Sequence, residues 1–387
     1  MRIFLWTMLL STVCLAAPQP GDEGTPEFQA ASALVKDLGD ARFATRETAA
    51  KKLLEMGATA LPALRAGARS SDEEVRNRAA AMLPQIVTLA WNRRADAFLA
   101  DVDQKQKHDL PLLADWEKVA GKPDAGTRKL FADMIRAHGP LFELAATDRK
   151  AAAVEMANRS AILLDAARAK GKQVDAPAAS VAGLLFVQTL LRDQPAPAGD
   201  PSRHEPLHLL ANPAVAAALD AKDVGPAYRR LIVQWAESRP LDETMTGLFF
   251  AILSHRHPFP EADARLFELA TKHKSVQIKW VALEALGRSK VRTTIDKLTE
   301  LLNDKSAMYE DLGEQEAGHQ VRDCALAALI AGQGKNPADY RLQTYMTANF
   351  WAGGTADTVT LHLCGFKTAG DREIGIKKWL AESAAKQ

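Results

Sequence analysis

The sequence predicts an all-α protein, an α-solenoid of helical hairpins that is irregular in its middle and has a short extended segment near the C-terminus. The first observation is an apolar stripe at offsets i, i+3, i+4, i+7 and i+8 that occurs in residues 278–286 and again in residues 321–329. The second is a similar stripe between them, in residues 295–302. Each predicted helix is too short to be stable alone, and its apolar face must be covered by a neighbouring helix.

The two copies of the stripe can be read off the chain. Their positions are Ile278, Val281, Ala282, Ala285 and Leu286 in one copy, and Val321, Cys324, Ala325, Ala328 and Leu329 in the other. Between them lie Ile295, Leu298, Leu301 and Leu302. Aromatic residues make up only 6% of the chain, and runs of β-branched residues are rare, so the composition favours helix throughout.

The N-terminus has the pattern of a secretory signal peptide over residues 1–17. Arg2 supplies the positive charge, and an apolar run of about 13 residues follows, shorter than a membrane-spanning helix. Cys14 raises the alternative of a lipidated cysteine, although Val13 stands where a lipobox usually has a smaller residue. We therefore expect an exported protein, either periplasmic, extracellular or envelope-associated, without membrane insertion after cleavage.

The charge balance argues against a polyanionic partner. Lysine and arginine number 49, aspartate and glutamate number 48, and the formal net charge is +1. A chain this close to neutral lacks the field that holds nucleic acid or an anionic membrane. We expect neither as a partner.

Helices are predicted along the first half of the chain in the following order. Apolar periodicity and breaker residues predict helices over residues 27–38, 43–56 and 61–68, the second ended by Gly57. A capping box from Ser71 to Glu74 is predicted to open the next helix. The residues of that helix expected to face inward are Val75, Ala79, Met82 and Leu83. Further amphipathic stretches cover 110–119, 125–137, 140–146 and 151–169, with Trp116, Leu130, Phe131, Met134 and Ile135 at core positions, and 181–191 reads as a buried helix.

The second half begins with a break. Residues 194–203 are rich in proline and predict a loop, after which a helix is expected over 207–219. Alternation in Thr358–Cys364 predicts an extended piece, and a final helix over 372–385 carries Ile374, Ile376, Trp379 and Leu380 as an end cap. The predicted organisation is 1–17 signal peptide, 18–26 linker, 27–100 N-terminal repeats, 101–193 helical middle, 194–203 loop, 204–260 helical region, 261–340 C-terminal repeats and 341–387 cap.

Two blocks of the chain resemble HEAT-repeat proteins, and more loosely the HEAT-like repeats of bacterial secreted proteins. The residues that carry the resemblance are SVQIKWVALEALG at 275–287, IDKLTELLND at 295–304 and VRDCALAALIAGQG at 321–334, with a second block at 43–86. The resemblance implies stacked helical hairpins and a surface for protein–protein interaction. It brings no catalytic residues to transfer.

One segment matches a catalytic motif in its letters. His204, Glu205 and His208 form H-E-x-x-H, in which two histidines one helical turn apart bind zinc and the glutamate activates water. Pro206 lies where the motif needs a helix interior, and the preceding flank is a loop. The favoured interpretation is that Pro206 opens a helix, and a zinc hydrolase, with Glu237 as an available third ligand, is the alternative.

Three other features have a structural and a functional interpretation. His255 and His257 precede Pro258, which favours a turn with exposed histidines over a metal site. Residues 309–319 carry four acids and a histidine without calcium-loop spacing, so we expect a loop on the rim, where a partner-specific contact is also expected. Arg76 and Arg322 each follow a valine at a helix start and are expected in ion pairs rather than facing a ligand.

Beyond Cys14, the chain contains only Cys324 and Cys364. Cys324 falls on an inward position of the seam, so it is expected to be buried. In an exported protein these two cysteines either form a disulfide or remain as thiols, and the sequence leaves both open.

The sequence therefore indicates a non-catalytic, exported scaffold or protein-binding module, with no cofactor and another protein as partner. The expected contact face is the concave surface of the stacked second helices. The alternative is the zinc-dependent hydrolase described above.

Overall fold

The computed structural model describes residues 24–121, 123–169, 176–194, 210, 212–238, 250, 253–254, 257, 259–289, 291–309, 319–351 and 358–384. Within these ranges the chain is mostly helical, and its strands form two two-stranded sheets. The prediction of a mainly α-helical protein is confirmed. The predicted signal peptide with Cys14, most of the linker and residues 195–203 of the loop lie outside the described residues.

The chain divides into two compact units, Met1–His108 and Asp109–Gln387. The helices of the first unit are α1 (Pro26–Asp37), α2 (Phe43–Met56), α3 (Leu61–Gly67) and α4 (Glu73–Ala100). Helix α1 packs against α2 and α3, and α3 packs against α4. Leu38, Leu53 and Leu64 lie fully buried in the resulting core.

Local signals at the helix ends explain much of this arrangement. The Thr25 hydroxyl accepts a hydrogen bond of 3.2 Å from the backbone N–H of Phe28, and Pro26 occupies the first turn of α1, where its missing N–H costs nothing. Helix α2 ends at Gly57, whose φ of 63° lies in a region that glycine adopts without steric cost.

The start of α4 corrects one prediction. The expected capping box from Ser71 to Glu74 does not form; instead the carboxylate of Asp72 accepts from the N–H of Val75 at 3.1 Å. Aspartate caps a helix as well as serine does, and here it also places its charge at the positive end of the helix dipole. Val75, Ala79, Met82 and Leu83 are buried as predicted, and α4 continues through Pro84.

The second unit begins with α5 (Leu113–Ala120), α6 (Ala125–Thr147), α7 (Arg149–Ala169) and α8 (Ala178–Leu190). Its core contains a chain of aromatic rings. Trp116 lies 5.4 Å from Phe186, and Phe142 lies 5.5 Å from Phe186, between ring centroids. The predicted core positions Trp116, Leu130, Phe131, Met134 and Ile135 are all buried.

The sequence predicts two helices, over 125–137 and 140–146, where the structure has the single bent helix α6. A break is predicted between residues 137 and 140, because Pro140 has no backbone N–H to donate to the hydrogen bonds of a helix. The helix bends there, at His138, whose φ of −137° and ψ of 21° are not helical, and then resumes. The breaker signal therefore marks a kink rather than an end.

Two shorter helices follow, α9 (Pro213–Asp220) and α10 (Gly225–Glu237). A continuous helix over 207–219 was expected, but α9 begins only at Pro213, because Asn212 is extended and caps the helix by accepting from the N–H of Ala214. Helix α10 is attached to α8 by two hydrogen bonds. The Tyr228 hydroxyl donates to the carbonyl of Ala178 at 2.9 Å, and the indole N–H of Trp235 donates to Gln188 at 2.8 Å.

The helices of the region predicted to hold the C-terminal repeats are α11 (Asp263–Lys272), α12 (Val276–Gly287), α13 (Arg292–Glu300) and α14 (Val321–Gly332). All five stripe positions of α12 and all five of α14 are buried. In the stripe between them Leu298 and Leu302 are buried, whereas Ile295 and Leu301 are half-buried. The predicted helical seam is confirmed at these positions.

The strands are β1 (Ala307–Tyr309), β2 (His319–Gln320), β3 (Gln343–Trp351) and β4 (Thr358–Gly365), and the chain ends in α15 (Ala369–Ala384). Strands β3 and β4 pair antiparallel. The extended piece predicted at Thr358–Cys364 is confirmed, but it is half of a hairpin whose first strand was not predicted. On α15, Ile376 and Trp379 are buried, whereas Ile374 and Leu380 are 48% and 45% exposed, so only half of the expected end cap is correct.

No helix within the described ranges combines the length and the apolar character needed to cross a bilayer. Helix α8, the most apolar stretch after the N-terminus, has 13 residues and is buried in the second unit from Val181 to Gln188. Its prediction as a buried helix is confirmed.

Candidate functional site

A cavity of about 230 Å³ lies between α12, α14 and the β3–β4 hairpin. Trp280 and Glu284 of α12, Cys324 of α14, and Thr344 and Cys364 of the hairpin contribute side chains to it. Alanines of α14 and Pro337 complete the wall. We take this cavity as the candidate site because it combines an acid, two thiols and an indole.

The geometry of the two helices explains how the cavity arises. Trp280 and Glu284 are four residues apart, so they lie on one face of α12. At their C-terminal ends the helices approach so closely that a Cβ on Gly332 would lie 1.7 Å from the carbonyl oxygen of Gly287. Glycine permits this contact, and the alanines of α14 leave space beside it where larger side chains would fill the gap.

The carboxylate of the cavity is hydrogen-bonded, and its two thiols have raised pKa values. The buried carboxylate of Glu284 accepts from Arg288 Nη2 at 3.2 Å. Burial raises the pKa of the Cys324 thiol well above its usual range, with the neighbouring Asp323 contributing, and burial also raises the pKa of Cys364. Both thiols are therefore protonated at neutral pH, and a protonated thiol is a poor nucleophile and a poor metal ligand.

The shape and lining of the cavity also limit what it can hold. Pockets for drug-sized ligands typically have volumes of about 300–1,000 Å³, above the 230 Å³ found here. Three alanines, Pro337 and Trp280 make most of the lining apolar. Of the polar groups in this lining, the two thiols have raised pKa values and the carboxylate of Glu284 accepts a hydrogen bond from Arg288.

The residues of the H-E-x-x-H segment are not among those that line this cavity. His204, Glu205 and His208 fall outside the described residues. Glu237, considered as a third ligand, is the last residue of α10, and its carboxylate accepts from Gln234 Nε2 at 3.1 Å. No group of three histidine, cysteine, aspartate or glutamate side chains suited to a metal occurs in the part of the chain that the structure describes.

The other histidine features are only partly described. His255, Pro258 and residues 310–318 of the acidic insertion lie outside the described ranges. His257 lies with its Nδ1 2.9 Å from the carboxylate of Asp220. His319, at the end of the insertion, is buried, and burial together with the charge of Arg372 lowers its pKa, although Asp323 opposes the shift.

The two arginines singled out in the sequence are engaged within the protein. Arg76 Nη1 donates to the carbonyl of Ser70 at 3.0 Å. Arg322 Nη1 lies 3.1 Å from Glu373 Oε1, and its Nε donates to Gln320 at 2.6 Å. Arg322 thus forms the expected ion pair, and Arg76 binds a backbone oxygen instead.

Sequence reasoning missed a buried ion pair next to the cavity. Arg372 of α15 donates to both carboxylate oxygens of Asp323, at 2.7 and 2.9 Å. Asp323 also accepts from the backbone N–H of Gln320, which closes a capping box at the start of α14. A local signal existed, because an acid three residues after a polar residue opens many helices, but the arginine is 49 residues away along the chain.

A second missed feature is a histidine–serine contact at the kink of α6. His138 Nε2 lies 2.9 Å from both the carbonyl and the hydroxyl oxygen of Ser180. A carbonyl only accepts, and Arg159 Nη1, 3.2 Å from Nδ1, only donates, so the ring proton must sit on Nε2. In that tautomer the imidazole cannot take the serine proton, and the pair is structural rather than catalytic.

Comparison with known proteins finds no family model, no curated sequence and no solved structure that matches this chain.

Proposed function

We propose that this chain is a non-catalytic, exported scaffold whose helical repeats form an irregular α-solenoid of HEAT-like hairpins and bind another protein. The observation that supports it best is the repeated seam: equivalent positions of α12 and α14 are buried at the same five offsets. A repeat of this kind means that each helix buries its apolar face against its neighbours.

The contacts among the C-terminal helices follow chain order, as expected for a stack. Helix α11 packs against α12, α12 against α13 and α14, and α13 against α14. Side chains also join the consecutive turns. The carboxylate of Asp263 in α11 accepts from the hydroxyl groups of Ser289 and Thr294, which flank the start of α13.

The same architecture favours binding over catalysis. The C-terminal repeats use their apolar residues to pack against one another and leave the polar face of α13 in solvent, with Asp296 52% exposed. Solenoids present such faces as extended binding surfaces. The net charge of +1 favours a protein partner over a polyanion, and the N-terminal segment 1–17 supports export.

Site-specific cross-linking tests the proposed binding face. A photoreactive amino acid is placed at Asp296 on α13, and at Ile374 on α15 as a matched control that is 48% exposed. We expect a discrete cross-linked protein in the envelope fraction for Asp296 and none for Ile374. Equal yields at the two positions, or none at either, would contradict the proposed face.

Metal analysis of the purified protein tests the non-catalytic part of the proposal. We expect no stoichiometric zinc. Stoichiometric zinc that is lost in a His204→Ala variant would overturn the scaffold in favour of a metallohydrolase.

A further inference from the structure

Cys324 and Cys364 come from different elements and line the same cavity. Cys324 lies on the first turn of α14 and Cys364 on β4, and each is 3% exposed. Helix α14 packs directly against β4. The two thiols are unbonded in the structure, and the cavity of about 230 Å³ that both of them line leaves room for their rotamers to change.

The strand pairing beside Cys364 is irregular, which allows a further adjustment. Thr344 pairs with Cys364 and Met346 with Leu363, so β3 carries an extra residue between these pairs. A bulge of this kind re-aims the side chains next to it. The Thr344 hydroxyl lies 3.7 Å from the Cys364 sulfur, so the thiol is already held at the bulge.

The stability of the β3–β4 hairpin depends on its contacts with other elements. A two-stranded hairpin is marginally stable by itself in water, and among the described residues β3 and β4 pair with no further strand. Its attachment to the helical repeats runs through β4, against α12 and α14. A covalent bond at Cys364 would fix the hairpin at that contact.

We propose that Cys324 and Cys364 form a disulfide that ties β4 to α14, a modification that rests on the export contained in the proposed function. Of the 3 cysteines in the chain, Cys14 lies in the predicted signal peptide, so the mature protein has only these two to pair. The bond encloses about 40 residues, a loop long enough for the cross-link to restrict the unfolded chain substantially.

The reaction is a thiol–disulfide exchange with a disulfide-bearing oxidant. One cysteine thiolate attacks the oxidant and forms a mixed disulfide, releasing one oxidant thiol. The second cysteine thiolate then attacks the mixed disulfide, forming the Cys324–Cys364 bond and releasing the second thiol. The protein loses two protons and two electrons, and the oxidant gains both.

The timing of this step follows from burial. Because burial raises the pKa of both thiols, the docked hairpin holds them in the unreactive protonated form. The cross-link therefore forms while the hairpin is still undocked, during folding. Reduced native protein is expected to react slowly with oxidant, and reduced unfolded protein to be cross-linked as it refolds.

Refolding in a glutathione buffer tests the pairing without reference to export. Full-length Cys14→Ser protein, in which Cys324 and Cys364 are the remaining cysteines, serves as the parent; it is reduced, unfolded and refolded in mixed reduced and oxidised glutathione. We expect a product two hydrogens lighter, and a tryptic digest in which peptides 323–335 and 342–367 are joined. Cys324→Ala and Cys364→Ala serve as controls and yield neither; free thiols or glutathione adducts alone in the parent protein would overturn the proposal.

A second measurement shows whether the bond stabilises the fold. Reduction is expected to lower the Tm of the refolded parent by about 5–10 °C and to leave both alanine variants unchanged. An unchanged parent Tm would overturn the anchoring role. The failure of export has a different signature: the disulfide forms in glutathione buffer, whereas protein from cells is found in the cytoplasmic fraction with free thiols.

Discussion

Asp323 and Arg372 lie where water does not reach them. Their side chains are 0% and 2% exposed, and they meet through two short hydrogen bonds. Buried charges are costly unless they are paired, so each residue depends on the other. The pair connects the start of α14 to α15, and with it the chain that follows the β3–β4 hairpin.

Replacement of one partner tests this dependence. Asp323→Asn removes the buried carboxylate that accepts two hydrogen bonds from Arg372, and we expect the free energy of unfolding to fall by about 3–5 kcal/mol. Urea denaturation of the full chain measures the change. Asp296→Asn is the control, because Asp296 is paired with Arg292 on the surface and solvent already screens both charges. Equal losses of unfolding free energy in the two variants would show that the buried ion pair stabilises the protein no more than the surface pair does.

The buried His138 makes stability depend on pH. Burial lowers its pKa from 6.5 to about 4, and the neighbouring Arg159 adds to the shift. The unfolded chain therefore takes up a proton near pH 6.5, whereas the folded chain does so only near pH 4. Stability contributed by the neutral ring is complete above pH 6.5 and is lost as the pH falls towards 4.

Chemical denaturation at a series of pH values measures this loss. Between pH 6.5 and pH 5 we expect the free energy of unfolding to fall by about 2 kcal/mol from this group, at about 1.4 kcal/mol for each pH unit. His138→Gln cannot titrate, so its stability is expected to change less over the same interval. Parallel profiles for the two proteins would assign the pH dependence to other groups.

At the scale of elements, local pattern accounts for the helices and fails for contacts between distant segments. Helix α2 has the predicted bounds, because its apolar spacing and Gly57 are local signals. Strand β3 was missed because residues 343–351 lack clear alternation, and its strand character depends on pairing with β4. The cavity was missed for a similar reason, since Cys324 and Cys364 come to line one cavity only through the packing of α14 on β4.

The seam of α12 provides a test of core packing. Leu286 is 0% exposed, and Leu286→Ala is expected to lower the free energy of unfolding by about 2–5 kcal/mol, the range for an emptied leucine site. Leu380→Ala, on the partly exposed face of α15, is the control and should change stability much less. A thermal melt of Leu286→Ala that matches the parent protein would mean that the seam is not buried.

The close approach of α12 and α14 is testable at Gly332. A Cβ there would lie 1.7 Å from the carbonyl oxygen of Gly287, which backbone atoms cannot relieve without moving the helices apart. We expect Gly332→Ala to destabilise the protein in urea and to loosen the cavity that contains Cys324. Gly370→Ala is the control, because the nearest atom to its Cβ, Thr368 Oγ1, lies at 3.8 Å. Destabilisation of similar size in both variants would show that the helix contact is unimportant.

At the scale of the whole molecule, the chain divides into two compact units between His108 and Asp109, so the first unit is a candidate for folding by itself. The first unit has its own apolar core, drawn from all four of its helices, with Leu38, Leu53, Leu64 and Ile86 each 0% exposed. Its described part, residues 24–108, is about 85 residues long, within the size range in which single domains fold alone. Directly after α4, the carboxylate of Asp101 accepts from the N–H groups of Lys105 and Gln106 and so orders the loop that ends this unit.

We therefore expect a fragment of residues 24–108 to fold cooperatively without the rest of the chain. Circular dichroism should show a helical protein with one sigmoidal urea transition, because a shared core makes the four helices unfold together. Leu53→Ala in this fragment should shift the transition to lower urea, whereas Lys52→Ala, exposed on the same helix, should not. A fragment that loses its helix gradually, or that responds equally to both substitutions, would mean that the N-terminal helices depend on the second unit to fold.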